Sequence, residues 1–286
     1  MRYSERTRVV ARKEITITTD RQAPRGRKTD RRDGYAAPVP PPFASEEVAP
    51  PPPPLTSAPA PVGLPQAGWN WHHAALGTLV GFGPTLVLYF VAGDSQSEPV
   101  TDVSAATAFA LLLNSLMLYA WQAGSAWFFS LRIRGEGLVA WGFRRPTKAF
   151  FWTIPLALIC VYAIAYFHDV IVHPEQQEIL TFFPRTPSGV VLLVLLAVVA
   201  APLFEELFFR GFVFRGLANS WGWPAGAAMT AIVFGAAHLQ LSVFLPLFAL
   251  GFALAWVYQR TGSIWTSIAL HAIFNGISVT VWALAG

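Results

Sequence analysis

The stretch FEELFFRGFVF, residues 204–214, places two carboxylates and a guanidinium, Glu205, Glu206 and Arg210, inside the apolar run 188–216. A bilayer core of about 30 Å takes about 20 helical residues, so the run reads as a span with charges at depth. Each such charge costs about 2.5–3.5 kcal/mol on insertion scales, and an intramembrane carboxylate is read by default as functional. In a helix, adjacent side chains point about 100° apart and residues four apart share a face. Glu206 therefore pairs with Arg210. Glu205 points elsewhere without that partner, either protonated or facing a hydrated cavity, and each state suits a general base.

The rest of the chain agrees with a membrane setting. It has 286 residues, 54% hydrophobic and only 13% charged, too few charges for a soluble domain of that length. The net charge of +4 belongs to the N-terminal tail, because eleven of the 20 Lys and Arg precede residue 35 while residues 69–286 hold nine basic and nine acidic groups. The pI near 9.5 thus describes a tail, and a nucleic-acid partner is excluded. The single cysteine, Cys160, reads as apolar filler.

Residues 1–67 are basic and then rich in Ala and Pro, with five consecutive prolines at 50–54. This composition predicts a disordered tail and stiff linker, whose P-x-x-P spacings can dock an unknown proline-recognising partner. Residues 68–286 read as an all-α, polytopic transmembrane helical bundle of about seven spans. They fall at about 71–92, 104–130, 149–170, 188–216, 224–240, 243–259 and 263–284, with an eighth or a re-entrant segment to be sought in 173–189. A basic tail keeps the N-terminus cytoplasmic. The same parity puts the loop 131–148, with five basic residues, in the cytoplasm and the acidic loop 93–103 outside.

Two further motifs complement the carboxylates: Phe234 with His238, and His271 with Asn275, the latter pair aimed to one side by i, i+4 spacing. Counting about 1.5 Å per residue from the turns brings Glu205 and His238 within roughly one helical turn of the same level, with Asn275 nearby and His271 somewhat shallower. Four side chains from three helices thus converge in one buried layer, about 23 Å from the turns. Glu205 can deprotonate a water that His238 holds. His271 and Asn275 can donate hydrogen bonds to an oxyanion. Glu205, His238 and His271 are also a zinc-type set, so metal-dependent and metal-free chemistry both stay open. Glu206 with Arg210 orients the helix behind them.

The ordered set E-E-x-x-x-R, F-x-x-x-H and H-x-x-x-N resembles the signature of the CPBP family of intramembrane proteases, which includes the Ras-converting type of CAAX prenyl endopeptidase and bacterial Abi or lysostaphin-resistance-like proteins. The likeness covers about residues 149–284. It implies a metalloprotease-type endopeptidase of the cell membrane, acting on a peptide or protein substrate that can be lipidated, among membrane lipids. It also implies that Glu205 is the base, His238 the water or zinc partner, and His271 with Asn275 the oxyanion donors. Two other classes fit the same buried polar groups: an ion-coupled carrier and a non-catalytic membrane scaffold.

Overall fold

The computed structural model describes residue 64 and residues 66–92, 104–173 and 182–284. Most of the tail 1–67, the acidic loop 93–103 and the middle of the stretch 173–189 lie outside the described residues. Seven main helices follow: α1 Trp71–Ala92, α2 Ala105–Trp127, α3 Phe150–Val172, α4 Pro187–Trp221, α5 Trp223–Ala236, α6 Phe244–Thr261 and α7 Ile264–Leu284. They fall on the seven apolar stretches, and the described residues contain no strand. The protein is an all-α, multi-pass membrane bundle. Five segments are long and apolar enough to cross a membrane, namely Ala106–Arg132, Phe150–Val172, Pro187–Trp221, Leu241–Thr261 and Ile264–Leu284, whereas α5 is shorter at 14 residues.

Local chemistry sets several helix ends. Ser104 and Thr186 cap α2 and α4 by accepting from the backbone N–H of Thr107 and Gly189, worth about 1 kcal/mol each. Pro187 at the first turn of α4 has no N–H to leave unpaired. Two boundaries differ from the sequence expectation by about a helical turn or more. α4 continues five residues past 216, because its backbone ladder persists after the apolar run stops, and ends only at Gly222, whose φ is +80°. α5 stops at Ala236 instead of running to 240, and the chain then turns through Leu239 at φ +53°.

In lipid, every backbone polar group must find a partner inside the protein. Pro84, inside α1, has no N–H, so the carbonyl four residues earlier, on Val80, loses its helical donor. Trp121 of α2 supplies the replacement through Nε1 at 2.9 Å. Ser125 Oγ, one turn further along α2, donates to Gly77 O at 2.7 Å. α5 and α6 pack through small residues: Gly251 lies so close to Ala231 that a Cβ there would stand 3.0 Å from the Ala231 Cα, as close helix approach in membranes requires.

Four connections meet at one end of the bundle. Asn219 Nδ2 donates to Trp69 O, Trp69 Nε1 to Phe212 O, Ser263 Oγ to Arg144 O and Thr147 N to Thr261 O. Gly68 lies against the Glu136 side chain, so the approach to α1, the α2–α3 loop, the end of α4 and the α6–α7 turn share a side. Within that loop Gly142 takes φ +82°, and a Cβ there would lie 2.6 Å from the Tyr258 ring, whose hydroxyl donates to Trp141 O. Only glycine fits both demands.

Candidate active site

α4 leaves α geometry on both sides of the two glutamates. Leu195–Ala200 and Leu207–Phe214 are π-helical, and Ala201–Glu206 between them is α-helical. Such bulges are rare and concentrate at functional sites. Pro202 contributes by withholding its N–H from the preceding turn.

Glu206 is fully buried and accepts from three side chains. Arg210 Nη1 donates to Oε1 at 2.8 Å, His271 Nδ1 donates to the same oxygen at 2.8 Å, and Ser267 Oγ donates to Oε2. Arg210 also donates through Nη2 to Gly251 O at 2.9 Å, tying α4 to α6. The expected Glu206–Arg210 pair is therefore present, and its larger effect is to hold His271. A carboxylate oxygen only accepts, so Nδ1 carries a hydrogen, and in the neutral imidazole Nε2 then presents a lone pair. That Nε2 stands 4.0 Å from Glu205 Oε2, leaving the imidazole between the two glutamates.

Glu205 turns away from Arg210, as helical spacing predicts. One oxygen, Oε1, accepts from the Tyr119 hydroxyl at 3.1 Å, while buried Oε2 has no hydrogen-bond partner. Tyr119 comes from α2, and its ring stacks on Phe204 with centroids 5.8 Å apart and planes 8° apart.

His238 sits in the turn after α5, exposed at the cavity edge, with Nδ1 donating to Phe234 O at 2.8 Å. Its Nε2 lone pair is thereby directed away from the helix end. Asn275 Nδ2 donates to Ala197 O at 2.7 Å, within the first π segment of α4. A π turn displaces carbonyls from their usual donors, and one amide hydrogen of Asn275 meets that need while the other stays available. Phe234, fully buried, packs edge-on to His238 and His271 at 5.0 and 5.8 Å, and the Arg210 guanidinium lies 4.8 Å from its centroid. The F-x-x-x-H motif thus fixes both imidazoles through one ring.

Glu205, His238, His271 and Asn275 line one cavity of about 700 Å³, whereas Glu206 and Arg210 stand behind it. Apolar side chains from all seven helices form most of its wall. Sequence reasoning missed two contributors. Ser267 extends H-x-x-x-N by one turn to S-x-x-x-H-x-x-x-N, a signal present in the spacing. Tyr119 belongs to a polar stripe on α2, Ser115, Tyr119 and Gln122 at i, i+4 and i+7, all facing the cavity. In a mostly apolar span this stripe could have been read.

Glu205, His238 and His271, the zinc-type set, line the same cavity. Among the described residues, no three His, Cys, Asp or Glu side chains are grouped so as to hold a metal ion. His271 keeps Nε2 free because Nδ1 donates to Glu206, and Nε2 lies 4.0 Å from Glu205 Oε2, wider than the roughly 3.3 Å that separates two ligands held about 2.0 Å from one tetrahedral zinc.

This geometry coincides with a family likeness. Residues 187–277 match the type II CAAX prenyl endopeptidase Rce1-like family. The Rce1-like segment runs from the first turn of α4 into α7 and holds all three motifs. A relative from Bacillus subtilis (strain 168), described as "Putative membrane peptidase YdiL", is 30% identical over 101 residues, 35% of this chain and 40% of that protein. The match thus spans about two-fifths of the curated relative's length. No solved structure matches. α1 and α2, with Tyr119, lie outside the Rce1-like segment.

Proposed function

We propose that the protein is an intramembrane endopeptidase of the CAAX-protease type that hydrolyses a peptide bond with water activated by Glu205 and with no metal in the step. One observation carries this reading: a buried carboxylate oxygen without a protein partner, Glu205 Oε2, belongs to a residue lining a cavity shared with His238, His271 and Asn275. The Rce1-like match and the membrane-peptidase relative support it.

In this mechanism a water lies between Glu205 and His238. Glu205 takes one hydrogen as a proton, and the His238 Nε2 lone pair accepts a hydrogen bond from the other, aiming the oxygen at the scissile carbonyl. The C–O bond forms and the carbonyl electron pair moves onto oxygen. The uncommitted amide hydrogen of Asn275 holds that oxyanion, a contribution worth about 10²–10³ in kcat. Collapse re-forms the C=O bond and breaks the C–N bond, and the proton returns from Glu205 to the leaving amine. In its neutral form His271 offers Nε2 as an acceptor toward Glu205. It becomes the oxyanion donor implied by the family likeness only when it also carries the proton, with Glu206 neutralising the imidazolium.

The apolar cavity wall suits a substrate that brings an apolar group, a lipidated or membrane-embedded peptide, in the cell membrane with the N-terminus cytoplasmic. The test is cleavage of a quenched, C-terminally farnesylated CAAX peptide, beside a peptide library, by protein in liposomes. Wild type cleaves, and Glu205→Gln, His238→Ala and Asn275→Ala each lose most of the rate. A Glu205→Gln protein with wild-type activity refutes the reading.

A further inference from the structure

Tyr119 is the polar side chain in contact with Glu205 that the hydrolytic scheme above leaves without a task. It reaches the base from α2, outside the Rce1-like segment, and three features fix it there. Its hydroxyl donates to Glu205 Oε1 at 3.1 Å. Its ring lies flat on Phe204, the residue before Glu205. It occupies the middle of the polar stripe Ser115, Tyr119 and Gln122 that α2 turns toward the cavity.

The two oxygens of Glu205 are consequently unequal. Oε1 has a donor, and Oε2 has none and looks toward His271 Nε2. A carboxylate held by one oxygen cannot swing its free oxygen away from the reacting water without breaking that bond. On Cβ–Cγ and Cγ–Cδ torsions that otherwise rotate, a single charge-assisted bond selects one arrangement.

Resting on the proposed role of Glu205 as base, we infer that Tyr119 is a positioning residue of the active site, whose hydroxyl assigns Oε1 to anchoring and Oε2 to proton transfer. The catalytic unit then comprises α2 together with α4, α5 and α7. Catalysis depends on how α2 seats against α4, and the α4–α7 segment alone is incomplete.

The experiment is a double-mutant cycle in liposomes on the full chain, with Tyr119→Phe, Glu205→Asp and the double variant, and with Glu205→Gln as the reference for the base. Phenylalanine keeps the stack on Phe204 and removes only the hydroxyl, and folded protein is normalised by thermal unfolding. Tyr119→Phe is expected to lower kcat by about 10- to 100-fold, the range for a lost hydrogen bond to a charged group, with KM little changed. In the Glu205→Asp background the shorter carboxylate has already left the hydroxyl. The same substitution there is expected to cost less than about threefold, the non-additivity of directly coupled groups. A structural role would instead give equal losses in both backgrounds, and that result overturns the inference, as does a wild-type kcat in Tyr119→Phe. If Glu205→Gln keeps full activity, the base reading itself fails, which is a separate outcome from an inactive Glu205→Gln beside an active Tyr119→Phe.

Discussion

Adjacent glutamates are expected to fail in opposite ways when each is replaced by alanine. Glu206→Ala removes the acceptor of Arg210, His271 and Ser267 together. The Arg210 guanidinium is then left fully buried with the Gly251 carbonyl as its remaining acceptor, its Nε already without a partner. Removing one member of a buried ion pair costs about 3–5 kcal/mol. At about 2–4 °C per kcal/mol for a chain of this size, the melting temperature should fall by roughly 6–20 °C. Glu205→Ala removes one hydrogen bond, from Tyr119, and also an oxygen that has no partner. Its stability should stay within about 1 kcal/mol of wild type while cleavage is lost. The assay is thermal unfolding in one detergent at fixed concentration, followed by intrinsic fluorescence, beside the peptide-cleavage rate. Replacing the pair together, Glu206→Leu with Arg210→Met, should recover much of the stability, because well-packed apolar pairs often replace buried ions without loss. It should not recover activity, since His271 no longer has its acceptor. A Glu206→Ala protein melting within about 2 °C of wild type, or a Glu205→Ala protein destabilised as much as Glu206→Ala, would refute the division of labour.

Three further outcomes follow from the same contacts. Asn275→Ala should lower kcat by about 10²–10³ with little change in KM, the loss of one oxyanion donor, read from steady-state cleavage kinetics. A strong zinc chelator should leave the cleavage rate unchanged, because no metal takes part in the proposed step. The control is added zinc, which should not raise the rate, and chelator-sensitive cleavage restored by zinc would contradict this. Trp121→Phe should destabilise the bundle by about 1 kcal/mol by orphaning the Val80 carbonyl. The same change in a Pro84→Ala background should cost less, because residue 84 then donates to that carbonyl itself. Thermal unfolding of the four proteins measures the difference.

Much of this arrangement could be read from sequence, for identifiable reasons. Apolar runs fix helices in a membrane because the backbone has no other way to satisfy itself, so the seven stretches and their shared end were legible from hydropathy and parity. The Glu206–Arg210 pair and the His271–Asn275 face follow from a spacing of four. His238 was expected inside a span, but the helix ends two residues earlier. Nothing in FGAAHLQ marks that stop, since the left-handed position falls on Leu239 and not on a glycine. The His271–Glu206 bond joins residues 65 apart and Tyr119–Glu205 joins residues 86 apart. A helical wheel reports which face a residue takes but not which neighbour fills the space opposite. The π segments left little signal either: Pro202 withholds a donor beside the first, and no residue of LFFRGFVF marks the second.

Those π segments also act on the long helix as a pair of phase slips. In an unbroken α-helix the azimuth of every side chain is locked to both ends, so re-aiming a carboxylate would rotate Trp221 at one terminus against Thr186 at the other. With a slip on each side, the hexamer Ala201–Glu206 can be turned about the helix axis while the flanking turns keep their packing. Direction at the reacting groups is thereby uncoupled from direction at the bundle's ends. Transplanting EELFFR into a regular helix would carry the residues across and lose their aim.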